Sequence, residues 1–298
     1  MMILNIAVMA ASIGSASPLV PHESKPGIYT FDAIAASQLP LDDITLTMRI
    51  GEQTCQFELE RFTVTDEQTR FLLGSRGGKD RLMPFDPTSV ILLRGSAGMP
   101  ESEVFLAMSP HGVIGTASLP DGSWALTPGD GSRGLAATDL SWHQLAAGER
   151  PPLGVPVCGA TLGAAPPPLR SLDLNQDRLR LDLAVETDFE YLELFSGDTI
   201  AAAEYLVAMY GAVAMVYERD VDIEMVLVWS RLWETSDDLF NDDDPLVPFR
   251  DYWNKNMGDI DRDLAQFLTG RTNLPYGGVA WVSATCGDHA YSVSGYTL

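Results

Sequence analysis

The four histidines, His22, His111, His143 and His289, are the first residues to weigh for metal or acid–base chemistry. A catalytic zinc helix presents two imidazoles four residues apart on one face, with a glutamate beside the first as general base. None of the four has a histidine at i+4, and they are scattered over both halves of the chain. They therefore compose no zinc site, and His289 reads as an ordinary loop histidine. The three cysteines, Cys55, Cys158 and Cys286, are too few for a disulfide scaffold and are not spaced as a zinc cluster. An odd number leaves at least one thiol without an internal partner. Carboxylates at Glu186, Asp188, Glu190 and Glu193 could pair for acid–base hydrolysis, but close acidic pairs are common in a chain this acidic. The run from Asp237 to Asp244, DDLFNDDD, could attract calcium but lacks the alternating ligands and glycine of an EF-hand loop.

Composition narrows the partners. The net charge is -22, from 41 acidic against 19 basic residues, and the lysines are Lys25, Lys79 and Lys255 alone. Such a surface repels a phosphate backbone, which excludes nucleic acid as a partner. It suits a solubilising role in a saline exterior. With 298 residues and 46% hydrophobic content, the chain can bury one large core or two ordinary ones. The N-terminus, MMILNIAVMAASIGSASP, has an apolar stretch from Ile3 to Ala11 and small residues before Pro18. Residues 1–17 thus have the shape of a secretory signal, without its basic start; a buried first strand is the other reading. No later apolar run appears long enough in sequence to span a bilayer, so stable membrane insertion is not expected.

The elements that would position these residues fall in two sets. From about Asp42 to Pro128 the pattern is β-rich, beginning with Ile44, Leu46, Met48 and Ile50 alternating with polar residues. Turn signals at Pro110-His111-Gly112 and Pro120-Asp121-Gly122 predict successive hairpins. From about Gly129 to Asp177 the composition shifts to Gly, Ala and Pro, including Pro166-Pro167-Pro168, and reads as a linker. After it, Leu179 to Val185 alternates as a strand. Asp198 or Thr199 caps a long amphipathic helix, and Asp222 to Trp233 is a buried strand. Asp259 is expected to cap a further helix burying Ile260, Leu264, Phe267 and Leu268, ended by Gly270. A short strand follows at Gly277 to Val282. The expected organisation is α+β in two domains: 25–150 β-rich, 151–178 linker, and 179–298 an α/β layer with a mostly parallel sheet.

The C-terminal order LDLAVETD, a long helix ending VYERD, VLVWSRLW, RDLAQFLTG, GGVAW and then Cys286 resembles reprolysin-like (adamalysin-type) metzincin zinc metallopeptidases. The resemblance covers Leu181 to Ser294; from about Asp42 to Gly159 it is a looser likeness to the propeptides of bacterial members. It implies a secreted zinc metalloendopeptidase precursor that acts on protein or peptide, with zinc held by an HExxHxxGxxH helix. That motif does not occur in these 298 residues, so the chain is expected to be a truncated catalytic domain, inactive alone. The alternative is a non-catalytic exported binding or protease-inhibitory protein built on the same fold.

The resemblance also assigns residues. Cys158, in Gly154-Val155-Pro156-Val157-Cys158-Gly159, occupies the place of a zymogen cysteine switch, whose thiolate would take the fourth zinc position; a free thiol or a disulfide with Cys55 remains open. Gly277, Gly278, Val279, Ala280 and Trp281 match the strand bordering the substrate cleft. Asp182 and Asp263 match acidic ligands of a structural calcium ion, though as single residues a solvated strand carboxylate and a helix-terminus charge explain them as well. Cys286 matches a cysteine that pairs with a downstream partner.

Overall fold

A computed structural model of the chain describes residues 17–75, 79–128, 134–145, 178–282 and 284–295. The candidate signal up to residue 16 and the segment holding Cys158 lie outside the described residues. The fold is mixed α+β and strand-rich, with few helices among the described residues.

The N-terminal half contributes β1 (Leu19–Pro21), β2 (Ile28–Phe31), α1 (Ala33–Ser37), β3 (Ile44–Ile50), β4 (Gln53–Phe62), β5 (Thr65–Gly74), β6 (Arg81–Leu82), β7 (Ile91–Ser96), β8 (Glu103–Ser109), β9 (Gly112–Leu119), β10 (Gly122–Pro128) and β11 (Leu140–Leu145). The alternation predicted for β3 is observed: Ile44, Leu46, Met48 and Ile50 are buried, because a period of two sends every second side chain to one face. Nine of these strands form an antiparallel sheet in the order β1-β2-β11-β10-β9-β8-β7-β4-β3. The sheet curls, so that Phe57 on β4 meets Trp142 on β11 edge-on at 5.9 Å. Both expected hairpins form. Gly112, at φ 143°, stands where a Cβ would strike the Ala136 backbone at 2.4 Å, which only glycine avoids.

The C-terminal half contributes β12 (Leu179–Thr187), α2 (Phe189–Glu193), α3 (Thr199–Val221), β13 (Ile223–Trp233), α4 (Leu246–Asn256), β14 (Leu264–Thr269), β15 (Gly278–Ala280) and β16 (Tyr291–Gly295). The second sheet runs β15-β16-β14-β12-β13-β5-β6. Its central pairings, β12 with β13 and β14, β13 with β5, and β14 with β16, are parallel. Helix α3, capped by Asp198, lies between the two sheets. Its Leu206, Val207 and Tyr210 share one core with Leu183 and Leu227 of the second sheet and with Leu92 and Phe105 of the first. Helix α4 covers the opposite face of the second sheet, where Phe249 and Trp253 pack on Ala184, Trp229 and Phe267.

Four expectations are corrected. The helix predicted over Asp259 to Leu268 is strand β14. Its apolar residues fit a helical spacing, but Leu264 and Leu268 pack on the α3 side and Ala265 and Phe267 on the α4 side. A central strand is apolar on both faces, which defeats periodicity. The linker expected from about Gly129 to Asp177 contains β11, which pairs with β10 and β2. The division at 151–178 does not separate the sheets, because β5 and β6 of the first half belong to the sheet of the second. Finally, α3 has the length and apolarity of a membrane-crossing helix, yet it is the layer packed between the sheets. Helix α4 was not expected; Pro248 sits in its first turn, where no intrahelical N–H is lost.

Candidate substrate cleft

Parallel sheets gather chemistry at the carboxyl ends of their strands. Here β12 ends at Thr187, β14 at Thr269 and β13 at Trp233, bringing Asp188, Gly270 and Arg231 to one rim.

Asp188 follows β12 and is 1% exposed. Its Oδ1 accepts the Tyr191 N–H at 2.8 Å, capping α2, and the Gly270 N–H at 2.9 Å; its Oδ2 accepts the Thr269 hydroxyl. Arg271 Nε lies 3.6 Å from Oδ2. Gly270 must be glycine because a Cβ there would lie 2.2 Å from the Glu190 carbonyl carbon. Burial pushes the Asp188 carboxyl up to about 6, opposed by these donors. The folded value lies above the usual value of about 3.9, so the native state holds a proton that the unfolded chain has released. The stabilisation from that proton is fully present below about pH 4 and lost as pH rises through about 6, a change of about 3 kcal/mol. In Asp188→Asn the amide oxygen still accepts both backbone N–H groups and the titration is gone. Urea unfolding from about pH 4 to pH 8 is expected to show the wild type losing stability relative to Asp188→Asn as pH rises; parallel profiles would contradict this assignment.

At the ends of β12 and β13, Glu186 is fully buried and Arg231 is 3% exposed. Arg231 Nε and Nη2 donate to Glu186 Oε1 and Oε2 at 2.7 and 2.8 Å, and Arg231 Nη1 donates to Asp80 at 2.8 Å. The indoles of Trp233 and Trp253 donate to the same carboxylate at 2.9 and 3.2 Å. Burial pushes the Glu186 carboxyl up, and the guanidinium and indole donors pull it down. Every oxygen of Glu186 is engaged, so this pair joins the sheet to α4 and does not work as an acid–base dyad. Glu190 and Glu193, the other carboxylates of that candidate group, lie on α2, with Glu193 exposed.

The strand expected at Gly277 to Trp281 is β15, antiparallel to β16. It ends the sheet, and among the described residues its far side is unpaired. Gly277 accepts the Gly295 N–H at 2.9 Å. Trp281 meets the His289 ring edge-on at 5.2 Å and lies under the Arg250 guanidinium at 5.1 Å. Beside β16 an apolar groove of 420 Å³ opens between α3 and the sheet, lined by Tyr205, Met209, Val213, Leu264 and Leu268. On its floor Tyr210 donates to Gln266 at 2.7 Å, and Gln266 donates to Ser294 at 2.6 Å.

Asp182 and Asp263 come together at the start of β12 and β14. The Asp182 N–H donates to Asp263 Oδ2 at 2.8 Å, and Cys286 Sγ donates to Asp263 Oδ1 at 3.0 Å. Asp182 itself accepts from Arg180 at 2.6 Å. Cys286 is exposed and unbridged, and its bond to Asp263 pushes the thiol up to about 11. Asp263 thus has both carboxylate oxygens on protein donors, and Asp182 has Oδ1 on Arg180. Among the described residues no group of three or more His, Cys, Asp and Glu side chains could hold a metal ion. Cys55 is a buried thiol. Sequence reasoning missed Arg231 as the centre of the rim; the one available signal was a charged residue inside the apolar run VLVWSRLW.

No match was found among curated proteins. Among solved structures, the chain is similar to metalloproteinase-II from Bacteroides fragilis, with 12% identity over 88% of this chain and 78% of that one and a TM-score of 0.44. It is also similar to a structure described as a chaperone-substrate complex, with 10% identity over 61% of this chain and 24% of that one and a TM-score of 0.34. Residues 178–297, which hold the parallel strands, the rim and β15, match the family model described as Metallo-peptidase family M12, of reprolysin type, and that family implies zinc dependence and a protein or peptide substrate.

Proposed function

We propose that the chain is part of a secreted zinc metalloendopeptidase precursor, in which 25–150 is propeptide-like and 179–298 carries the sheet that borders the substrate cleft. The observation that carries this reading is the family match over 178–297, and the open edge of β15 agrees with it. An extended peptide would join β15 by strand addition, main chain to main chain. The glycines at 277 and 278 leave that edge uncrowded. Zinc does not fit the described residues, and HExxH does not occur in the 298 residues. No hydrolytic step is therefore assigned to these side chains, and the chain as given is proposed to be inactive alone. Cys158 keeps its proposed role as a zymogen switch.

The test is amide hydrogen exchange of the purified chain with and without a millimolar extended peptide. Slower exchange confined to Gly278–Ala280 and its flanks is expected; unchanged exchange there at saturating peptide would remove the substrate-edge assignment. A non-catalytic binding or inhibitory protein would use the same edge, and differs in capturing an intact peptidase instead of a peptide.

A further inference from the structure

Strand β5 is contributed by the N-terminal half to the C-terminal sheet. The chain leaves β4 of the first sheet through Thr63 and Val64 and enters β5 with no helical connection. The Leu227 N–H donates to the Val64 carbonyl at 2.7 Å, and the Thr69 hydroxyl donates to the Leu227 carbonyl at 2.7 Å. After an irregularity at Asp66 to Thr69, Arg70 to Gly74 run in parallel register with Trp229 to Trp233. Without β5, strand β13 would be an open edge of a largely apolar sheet.

Apolar packing crosses the same seam. Phe71, Leu73 and Met83 are each 3% exposed and belong to one core with α3, β12 and β13. At Gly211 of α3 a Cβ would stand 2.9 Å from the Leu92 side chain of β7, so the Leu92 methyl groups pack directly on the helix backbone. Polar contacts follow the seam too. The buried Glu204 of α3 accepts from Ser109 at 2.6 Å and pairs with His111 at 2.7 Å. Ion pairs join Arg180 to Asp66, Arg219 to Glu103 and Arg231 to Asp80 at 2.7, 2.6 and 2.8 Å.

We propose that residues 178–295 present a standing interaction surface, the β13 edge and the α3 face, whose partner is residues 17–145 of the same chain. The two pieces stay together when the chain between them is cut. The N-terminal half is then an integral part of the second sheet, held there by non-covalent contacts and not by the connecting chain. This inference does not rest on the peptidase reading, since it concerns only how the two halves are joined.

The experiment inserts a site-specific protease sequence after Gly163 of the full chain, confirms that the uncut protein melts like the wild type, cuts it, and applies gel filtration in low salt and in 1 M NaCl. The expected result is no shift in elution volume in either buffer, with two fragments on a denaturing gel. At 1 M salt the screening length is about 3 Å, so ion pairs alone would not hold the pieces. Separation of the fragments in either buffer would overturn the proposal. As a second readout, amide exchange at Phe71 to Gly74 is expected to be the same in cut and uncut protein; loss of protection there on cutting, even with co-elution, would overturn the role given to β5.

Discussion

Replacing Arg231 by methionine is expected to destabilise the protein by about 3–5 kcal/mol. Methionine fills much of the space but leaves Glu186 fully buried with its countercharge gone. The indole donors of Trp233 and Trp253 remain, and they cannot replace a guanidinium bound through two nitrogens. The loss has a pH signature. In the variant the Glu186 carboxyl lies above its unfolded value, because burial then acts with no opposing charge. Stability is therefore regained as pH falls and the carboxyl takes a proton, and is lowest well above the folded value. Adding Glu186→Gln removes the stranded charge and keeps an acceptor for one of the two indoles, so the double variant should recover part of the loss. Urea midpoints of the single and double variants measure this. A single-variant loss under about 1 kcal/mol would mean that Glu186 is reached by water and that the rim is open.

The second large effect is expected at Trp253, on the helix that sequence reading did not anticipate. Trp253→Ala should cost about 3–5 kcal/mol. The side chain is fully buried, meets Trp229 edge-on at 5.1 Å and Phe249 at 5.7 Å, and carries the Arg262 guanidinium on its face at 4.9 Å. Its indole N–H also donates to Glu186. Trp253→Phe keeps most of the aromatic packing and loses that donor, so its cost should be clearly smaller. Thermal melts of the two variants test both the position of α4 and its hold on the rim. An alanine variant that melts like the wild type would place α4 away from the sheet.

Legibility followed how locally each feature is encoded. The alternation of β3, the hairpins at Gly112 and Gly122, and the succession β12, α3, β13 follow from periodicity and turn chemistry within a few residues of one another. Helix α3 was legible through its cap and its buried stripe. Strand β14 was misread because four apolar residues, Leu264, Ala265, Phe267 and Leu268, divided between both faces, satisfy a helical period as well as an extended one. Strand β5 was not legible. Thr65 to Arg70 is polar, and the partner that recruits Phe71 to Gly74 into the second sheet lies more than half the chain away. For α4, the acidic run before Leu246 and the proline at 248 hid a short amphipathic pattern.

The candidate site divided in the same way. The edge strand at Gly278 to Ala280 could be placed from its glycines and the strings around it, whereas the partners of Asp263 and Cys286 are set by tertiary contact. The pairing of Arg231 with Glu186 is a contact between neighbouring parallel strands, and no local pattern specifies it. Cys158 could be named from its surroundings in the sequence alone.

The central proposal is that residues 179–298 carry the substrate-bordering sheet of a metallopeptidase and that the chain as given binds no catalytic zinc. The most direct measurement is the zinc retained per chain when the purified 298-residue protein is passed through gel filtration after incubation with excess zinc, read together with casein cleavage. The account predicts zinc far below one per chain and no cleavage. One zinc retained per chain, with cleavage abolished by a chelator, would contradict it.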